Sequence, residues 1–361
     1  MPARVVLAMS GGVDSSVAAL LLKQQGYEVI GLFMRTGVHG NGDDAMPAHK
    51  RGCCSAVDAG DARRVADRLN IPFYALDFEA DFERIIDYFA DEYLVGRTPN
   101  PCVVCNNWLK FGKLWSYGKQ LEADFIATGH YAQVCKRDGR FALHRGLDPQ
   151  KDQSYVLFGI RQSILPHLLF PIGGYRKDEV RRLARAAGLG VSDKPDSVEI
   201  CFVPDGDHAA LIRRRRPERI TAGHVVDTSG NILAEHDGID NFTVGQRKGL
   251  GFAAGARRYV LRIVPDANQV VIGEREELLA SGLLASRVNW LVDVQDGSPM
   301  CCSAKIRYRH QAVPASVSVL PNSGARVTLA QAQSAVTPGQ AVVFYDGDRV
   351  LGGGWIESAI P

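Results

Sequence analysis

The chain has 361 residues, 46% of them hydrophobic and 23% charged, enough to bury a large core and to divide into two or three domains. A formal net charge of +2 excludes a strongly polyanionic or polycationic protein and leaves any nucleic-acid contact to local patches. Apolar runs fall well short of the roughly 20 residues of a membrane span, and Met1-Pro2-Ala3-Arg4-Val5 enters a strand without a signal-peptide pattern, so a cytoplasmic protein with no membrane partner is expected. In that reducing compartment the 8 cysteines are to be read for metal or sulfur chemistry and not as a disulfide framework.

The first strand, Val5 to Met9, runs into Ser10-Gly11-Gly12-Val13-Asp14-Ser15-Ser16 and then into a helical pattern over 15–25. Two glycines allow a tight turn whose N–H groups face an anion, and the hydroxyls and the positive helix end add to the attraction: this is a phosphate cradle. A Walker loop closes on Lys-Ser/Thr; here Asp14-Ser15-Ser16 stands instead, which excludes a P-loop ATPase. The loop resembles the pyrophosphate-binding motif of the N-type ATP pyrophosphatases, which cleave ATP between the α and β phosphates to adenylate a substrate oxygen.

Beyond the cradle, strand Val29 to Met34, helix Asp58 to Leu69, strand Phe73 to Asp77, helix Asp81 to Val95, helix Leu109 to Leu121 and strand Phe125 to Thr128 continue a βαβ rhythm, predicting an α/β domain with a parallel sheet. Thr36 to Arg51 reads as a long loop, and the loop Gly96 to Pro101 delivers Cys102 and Cys105. Strand ends in such a sheet face the ligand, which would gather Met34, Gly129 and His130 around one crevice with the cradle. Asp178 to Ala187 predicts an Arg-rich amphipathic helix, and Lys194 to Pro204 returns Cys201 to the first domain. The run Arg213 to Arg216 fits a solvated helix face better than a nucleic-acid contact. From about residue 222 short strands with glycine turns take over, including Tyr259 to Val264, Lys305 to Tyr308 and Ala341 to Tyr345, and the last ~80 residues read as a small β-barrel. The expected division is about 1–165 with 190–205 as the catalytic domain, 166–275 as a small central domain and 276–361 as the barrel.

In order, Ala8 to Ser16, Thr98-Pro99-Asn100-Pro101, Ala127 to Tyr131, Lys151-Asp152-Gln153-Ser154-Tyr155, Ser197 to Pro204, Phe242 to Gly251 and Thr337-Pro338-Gly339-Gln340 closely resemble bacterial tRNA-specific 2-thiouridylases, nearly end to end. The resemblance implies an adenine-nucleotide α-hydrolase-like N-terminal domain and sulfur-for-oxygen exchange at C2 of the wobble uridine. ATP, with Mg2+, would adenylate the C2 oxygen with loss of pyrophosphate, and sulfur would then displace AMP. By resemblance, Ala8, Met9, Ser10, Gly11, Gly12, Val13, Asp14, Ser15, Met34 and Gly129 form the ATP site. Asn100, Pro101 and Cys102 touch the target base, and His130, Lys151, Asp152, Gln153, Arg307, Tyr308 and Gln340 contact tRNA. Cys105 matches the nucleophile and Cys201 the persulfide carrier, with a transient disulfide between them after transfer and a cysteine desulfurase or sulfur-relay protein as donor. The chemistry is consistent: a pyrimidine carbonyl oxygen leaves poorly until adenylated, and a thiolate or persulfide then attacks.

Many relatives carry Asp where this chain has Cys102. Cys102, Cys105 and Cys201 could therefore hold three irons of a [4Fe-4S] cluster whose fourth iron binds hydrosulfide, or Cys102 could tune the Cys105 thiol. A structural zinc site would want four protein ligands, and there is no second C-x-x-C here. Cys53, Cys54, Cys135, Cys301 and Cys302 are given no role. Two other readings stay open, an amidating ATP pyrophosphatase and a non-enzymatic RNA-binding iron–sulfur or redox module.

Overall fold

The computed structural model describes residues 2–37, 56–137, 139–196, 200–251, 257–294 and 298–361. Most of the expected loop Thr36 to Arg51, Cys53, Cys54, and Ser197 to Glu199 of the returning segment lie outside these residues. Two compact units are present: Met1–Ile85 with Cys102–Gly206 and Asp348–Val350, and Ile86–Pro101 with Asp207–Gly347 and Leu351–Pro361.

The first unit contains, in order, β1 (Arg4–Ala8), α1 (Val13–Gln24), β2 (Glu28–Arg35), α2 (Ala56–Leu69), β3 (Phe73–Asp77), the start of α3 (Glu79–Leu94), α4 (Pro101–Cys105), α5 (Leu114–Gln120), β4 (Phe125–Thr128), β5 (Ala132–Arg137), β6 (Arg140–Arg145), β7 (Leu168–Leu169) and α6 (Lys177–Ala186). Five strands form a parallel sheet in the order β3-β2-β1-β4-β7. Val5, Val6 and Leu7 of β1 are fully buried, as a central parallel strand covered on both faces requires. α1 turns Val17, Ala18, Leu21 and Leu22 onto the same core. Strand order reverses between β1 and β4, so the loops leaving their carboxyl ends, Met9 to Gly12 and Gly129 to Tyr131, flank the crevice where an open α/β sheet binds its ligand.

Three local expectations are corrected. Cys102 and Cys105 do not sit on a loop: Pro101 opens a helical turn, as proline at a first helical position favours, and the run continues as a π-helix over Asn106–Lys113 before α5. The wide π turn brings the Asn107 carbonyl to 2.9 Å from where a Cβ on Gly112 would lie, which explains a glycine inside a helix. After β4 comes an antiparallel hairpin, β5–β6, where no strand was expected. The strand expected over Lys305 to Tyr308 ends at Lys305, and Arg307 to His310 form a turn closed by the His310 N–H on the Arg307 carbonyl at 3.1 Å.

In the second unit α7 (His208–Arg215) precedes a four-stranded sheet of β8 (Gly223–Val226), β9 (Ile232–His236), β10 (Tyr259–Val264) and β11 (Gln269–Gly273), in the order β10-β11-β8-β9. Val225, Val260, Val270 and Ile272 form its core. The remaining strands, β12 (Leu279–Trp290), β13 (Met300–Lys305), β14 (Val313–Leu320), β15 (Gly324–Ser334), β16 (Ala341–Asp346) and β17 (Arg349–Ile360), run β12-β15-β14-β13-β16-β17. Pairing of β12 with β17 closes them into a six-stranded barrel filled by Leu283, Val327, Val342, Phe344 and Ile356. Arg213, Arg215 and Arg216 of the arginine run form an ion-pair lattice with acidic neighbours. Arg213 bonds the buried Asp240 at 2.9 Å, Arg215 and Arg216 reach Asp87 at 3.4 and 3.1 Å, and Arg216 and Arg219 reach Asp91 at 3.0 and 2.9 Å.

Candidate active site

The cradle is built by β1 handing over to α1. Gly11 has φ +71°, a conformation L side chains resist, and a Cβ there would lie 2.1 Å from the Asp58 carbonyl oxygen. Gly12 caps α1 with its carbonyl, which accepts from the Ser16 N–H at 3.3 Å, the Ser15 hydroxyl at 3.2 Å and the Ser16 hydroxyl at 2.8 Å. The Ser10 N–H donates to Ser15 Oγ at 3.1 Å, closing the loop on itself. Gly129, at the end of β4, presses on the first turn of α1: a Cβ would lie 2.7 Å from the Ser15 nitrogen. Met34 is half-buried near the carboxyl end of β2.

A charged surround that sequence reasoning missed converges on Asp14. Lys177, the first residue of α6, donates to both Asp14 oxygens at 2.9 Å, and the Tyr131 hydroxyl donates to Oδ1 at 2.8 Å. Burial and the neighbouring Asp14 push the Tyr131 phenol upward, so it stays a donor. Lys177 also pairs with Asp196 at 2.7 Å, as do Lys151 at 2.7 Å and Arg181 at 3.0 Å. Burial opposes ionisation of Asp196, but the bonds from Lys151 and Lys177 prevail and hold its carboxyl below the ordinary range. Asp148 adds a third carboxylate, accepting the Lys177 N–H at 3.0 Å, so three carboxylates face three cations.

The segment Lys151-Asp152-Gln153 is tied to this centre. The Gln153 N–H donates to the Tyr131 carbonyl and its Oε1 accepts the Tyr131 N–H, both at 2.9 Å. Buried Asp152 accepts the Gly146 N–H at 3.1 Å and the Ser154 N–H and hydroxyl at 3.0 Å, so it organises the turn. His130 is 6% exposed. Its Nδ1 lies 2.6 Å from Thr128 Oγ1 and its Nε2 lies 3.5 Å from Lys110 Nζ, with the Phe111 and Phe170 rings beside it. Burial, reinforced by the Lys110 charge, drives its pKa well down and keeps the ring neutral.

Cys102 is exposed, while Cys105 and Cys201 are half-buried, and all three thiols are reduced. Buried Asn106, next to Cys105, anchors the helix by donating to the Val156 carbonyl at 3.0 Å. Cys201 is followed by buried Phe202, whose ring meets Phe82 edge-on at 5.8 Å. Among the described residues no group of three or more His, Cys, Asp or Glu is placed to hold a metal ion. Burial pushes the Cys302 thiol up to about 12, which removes it as a nucleophile at neutral pH.

In the second unit the segments around Asn100 and Gln340 meet. Gln340 Nε2 donates to the Thr98 carbonyl at 3.0 Å and the Pro99 carbonyl at 3.3 Å, and the Thr98 N–H donates to the Pro338 carbonyl at 2.8 Å. Gly339, at φ +87°, leaves no room for a Cβ beside the Thr98 nitrogen at 2.8 Å. Gln340 thus holds the loop that presents Asn100 and Pro101. Arg307 donates to the Ser334 carbonyl at 3.0 Å, and Tyr308, 41% exposed, has Lys305 Nζ 5.6 Å from its ring centroid.

Three family models match in series: a tRNA methyl transferase HUP domain over residues 3–205, a tRNA methyl transferase PRC-barrel domain over 210–274 and an aminomethyltransferase beta-barrel domain over 280–356. The chain is 50% identical to a tRNA-specific 2-thiouridylase MnmA of Rhodopirellula baltica, covering 99% of this chain and 97% of that one. It is 49% identical to the protein of that name from Geotalea uraniireducens, over 99% of this chain and 96% of that one. The Clostridium acetobutylicum protein is 47% identical, over 99% and 100%.

Proposed function

The chain belongs to the tRNA-specific 2-thiouridylase family, and from that membership and the geometry of the cradle we propose that it replaces the C2 oxygen of the wobble uridine of tRNA with sulfur, driven by ATP. The observation that carries the nucleotide half is the close approach of Gly129 to the first turn of α1, beside a turn whose Gly11 has no room for a side chain. The cradle grips the β and γ phosphates of the magnesium–ATP complex. Lys177, bonded to the Asp14 carboxylate, offsets the charge that would otherwise repel them.

The uridine C2 oxygen attacks the α-phosphorus and pyrophosphate leaves. The terminal sulfur of a persulfide on Cys201 then attacks C2, and AMP departs with the original oxygen. The Cys105 thiolate attacks the Cys201 sulfur, freeing the thiolated base and leaving a Cys105–Cys201 disulfide that a thiol reductant reopens. Sulfur reaches Cys201 from a cysteine desulfurase or relay protein in the cytoplasm. Lys151, Arg307 and Tyr308 face the tRNA, and Asn100, Pro101 and Cys102 the flipped base. Asp152, Gln153, His130 and Gln340 support those contacts through the loops they hold.

The test is AMP and pyrophosphate formation with and without tRNA, alongside 2-thiouridine content of the recovered tRNA. Stoichiometric AMP and thiouridine are expected; AMP formed without tRNA, or a carboxylate amidated instead, would overturn the reading.

A further inference from the structure

Lys194 lies 183 positions from the cradle in sequence, yet its Nζ donates to the Gly11 carbonyl at 3.0 Å. The same ammonium group bonds Asp58 Oδ1 at 2.5 Å and Asp61 Oδ2 at 2.6 Å, both on the first turns of α2, so its three protons are all placed. Burial alone would lower the Lys194 pKa, but the two carboxylates outweigh it and keep the charge fixed.

In a trans peptide the carbonyl and the following N–H point in opposite directions. Holding the Gly11 carbonyl on one side therefore aims the Gly12 N–H to the other. The next peptide is fixed in the same sense, because the Gly12 carbonyl is taken by Ser16 and by the two serine hydroxyls. A Gly-Gly peptide is the one most able to flip, since neither residue has a Cβ to restrict φ and ψ. After a flip, a carbonyl oxygen would face the phosphate in place of a donor.

We propose that Lys194 is a positioning residue that locks the Gly11–Gly12 peptide with its N–H groups turned toward the nucleotide's β and γ phosphates. The proposal rests on the ATP reading above. It explains why one lysine ties the glycine turn to two carboxylates of α2, and why Gly11 is packed directly on the Asp58 backbone.

The test uses the full chain with inorganic pyrophosphate and AMP as probes. Lys194→Met should weaken pyrophosphate binding about tenfold or more, the effect of losing oriented donors to a charged group, while AMP binding changes less than about twofold. Lys194→Arg, which still donates, should recover most of the loss. Should Lys194→Met fail to fold because Asp58 and Asp61 are left facing each other, the triple variant D58N/D61N/K194M removes that repulsion and should show the same selective loss. Wild-type pyrophosphate affinity in either folded variant, or equal losses for pyrophosphate and AMP, overturns the proposal. A wild-type protein that forms AMP with tRNA but whose Lys194 variants bind normally refutes only the positioning role. A wild-type protein that binds no pyrophosphate refutes the ATP reading itself.

Discussion

Asp14 stands at the head of a helix that should receive phosphate, where an unpaired carboxylate would repel its ligand. Lys177 and Tyr131 resolve the conflict by holding that carboxylate between three hydrogen bonds. Asp14→Ala should leave circular dichroism unchanged, since the side chain is not in the core, yet lower tRNA-dependent AMP formation by about a hundredfold, because Lys177 and Tyr131 lose the carboxylate that positions them beside the cradle; near-normal AMP formation would remove Asp14 from the site. The cysteines allow an equally sharp reading. Cys105→Ala and Cys201→Ala should both abolish thiolation, whereas Cys102→Ala should keep partial activity with a persulfide donor. On the persulfide reading, iron assayed on anaerobically purified protein should be absent, and iron-dependent activity lost in Cys102→Ala would make the three cysteines cluster ligands instead. His130 gives a pH signature. Its folded pKa lies below the unfolded value near 6.5, so the unfolded chain binds the extra proton, and stability is complete above that value and lost as pH falls through it. Denaturant titrations from pH 7 to 5 should show a decline steeper than that of His130→Asn by up to ~1.4 kcal/mol per pH unit, and equal slopes in the two proteins would show that His130 titrates normally.

At the scale of elements, the contact of β4 with α1 is what makes the crevice. Gly129→Ala would put a Cβ within 2.7–2.8 Å of backbone atoms of Ser15 and Asp14, neither of which can rotate aside. Separating the two elements should cost about 1–3 kcal/mol in stability and most of the AMP-forming activity; a melting curve and activity like wild type would mean that the strand end yields freely. The sequence made this element pair legible because an apolar run, two glycines and a 3.6-residue repeat all point the same way. It made the surround illegible, since Lys177, Lys194 and Asp196 meet the cradle only through tertiary folding and each reads locally as an ordinary surface charge. The helix carrying Cys102 and Cys105 was concealed by Thr98-Pro99-Asn100-Pro101, which reads as loop, although Pro101 is also a proper first helical residue. The π turn at Asn106–Lys113 has no simple sequence pattern, and Arg307 and Tyr308 continue the alternation of β13 beyond the point where its pairing stops.

For the whole molecule, a net charge of +2 means that affinity for a polyanion must come from cations not already committed to internal partners. Arg213 to Arg216 look like the densest basic patch in the sequence, but Arg213 pairs with Asp240, a carboxylate with 0% exposure, and Arg215 and Arg216 with Asp87 and Asp91. Arg213→Ala should therefore act on stability, by about 1–3 kcal/mol because a buried carboxylate loses its partner while the arginine itself is partly solvated. It should leave the salt dependence of tRNA binding alone. Arg307, whose internal bond is to the Ser334 carbonyl and not to a carboxylate, should behave in the opposite way: its alanine variant should reduce the slope of log affinity against log salt by about one unit and cost no more than the ~1 kcal/mol of one hydrogen bond. Binding isotherms at several salt concentrations, run beside denaturant titrations of both variants, separate the two roles. If Arg213→Ala lowered the slope and Arg307→Ala did not, the tRNA would have to lie across the arginine run, and the ion-pair lattice would have to open to receive it.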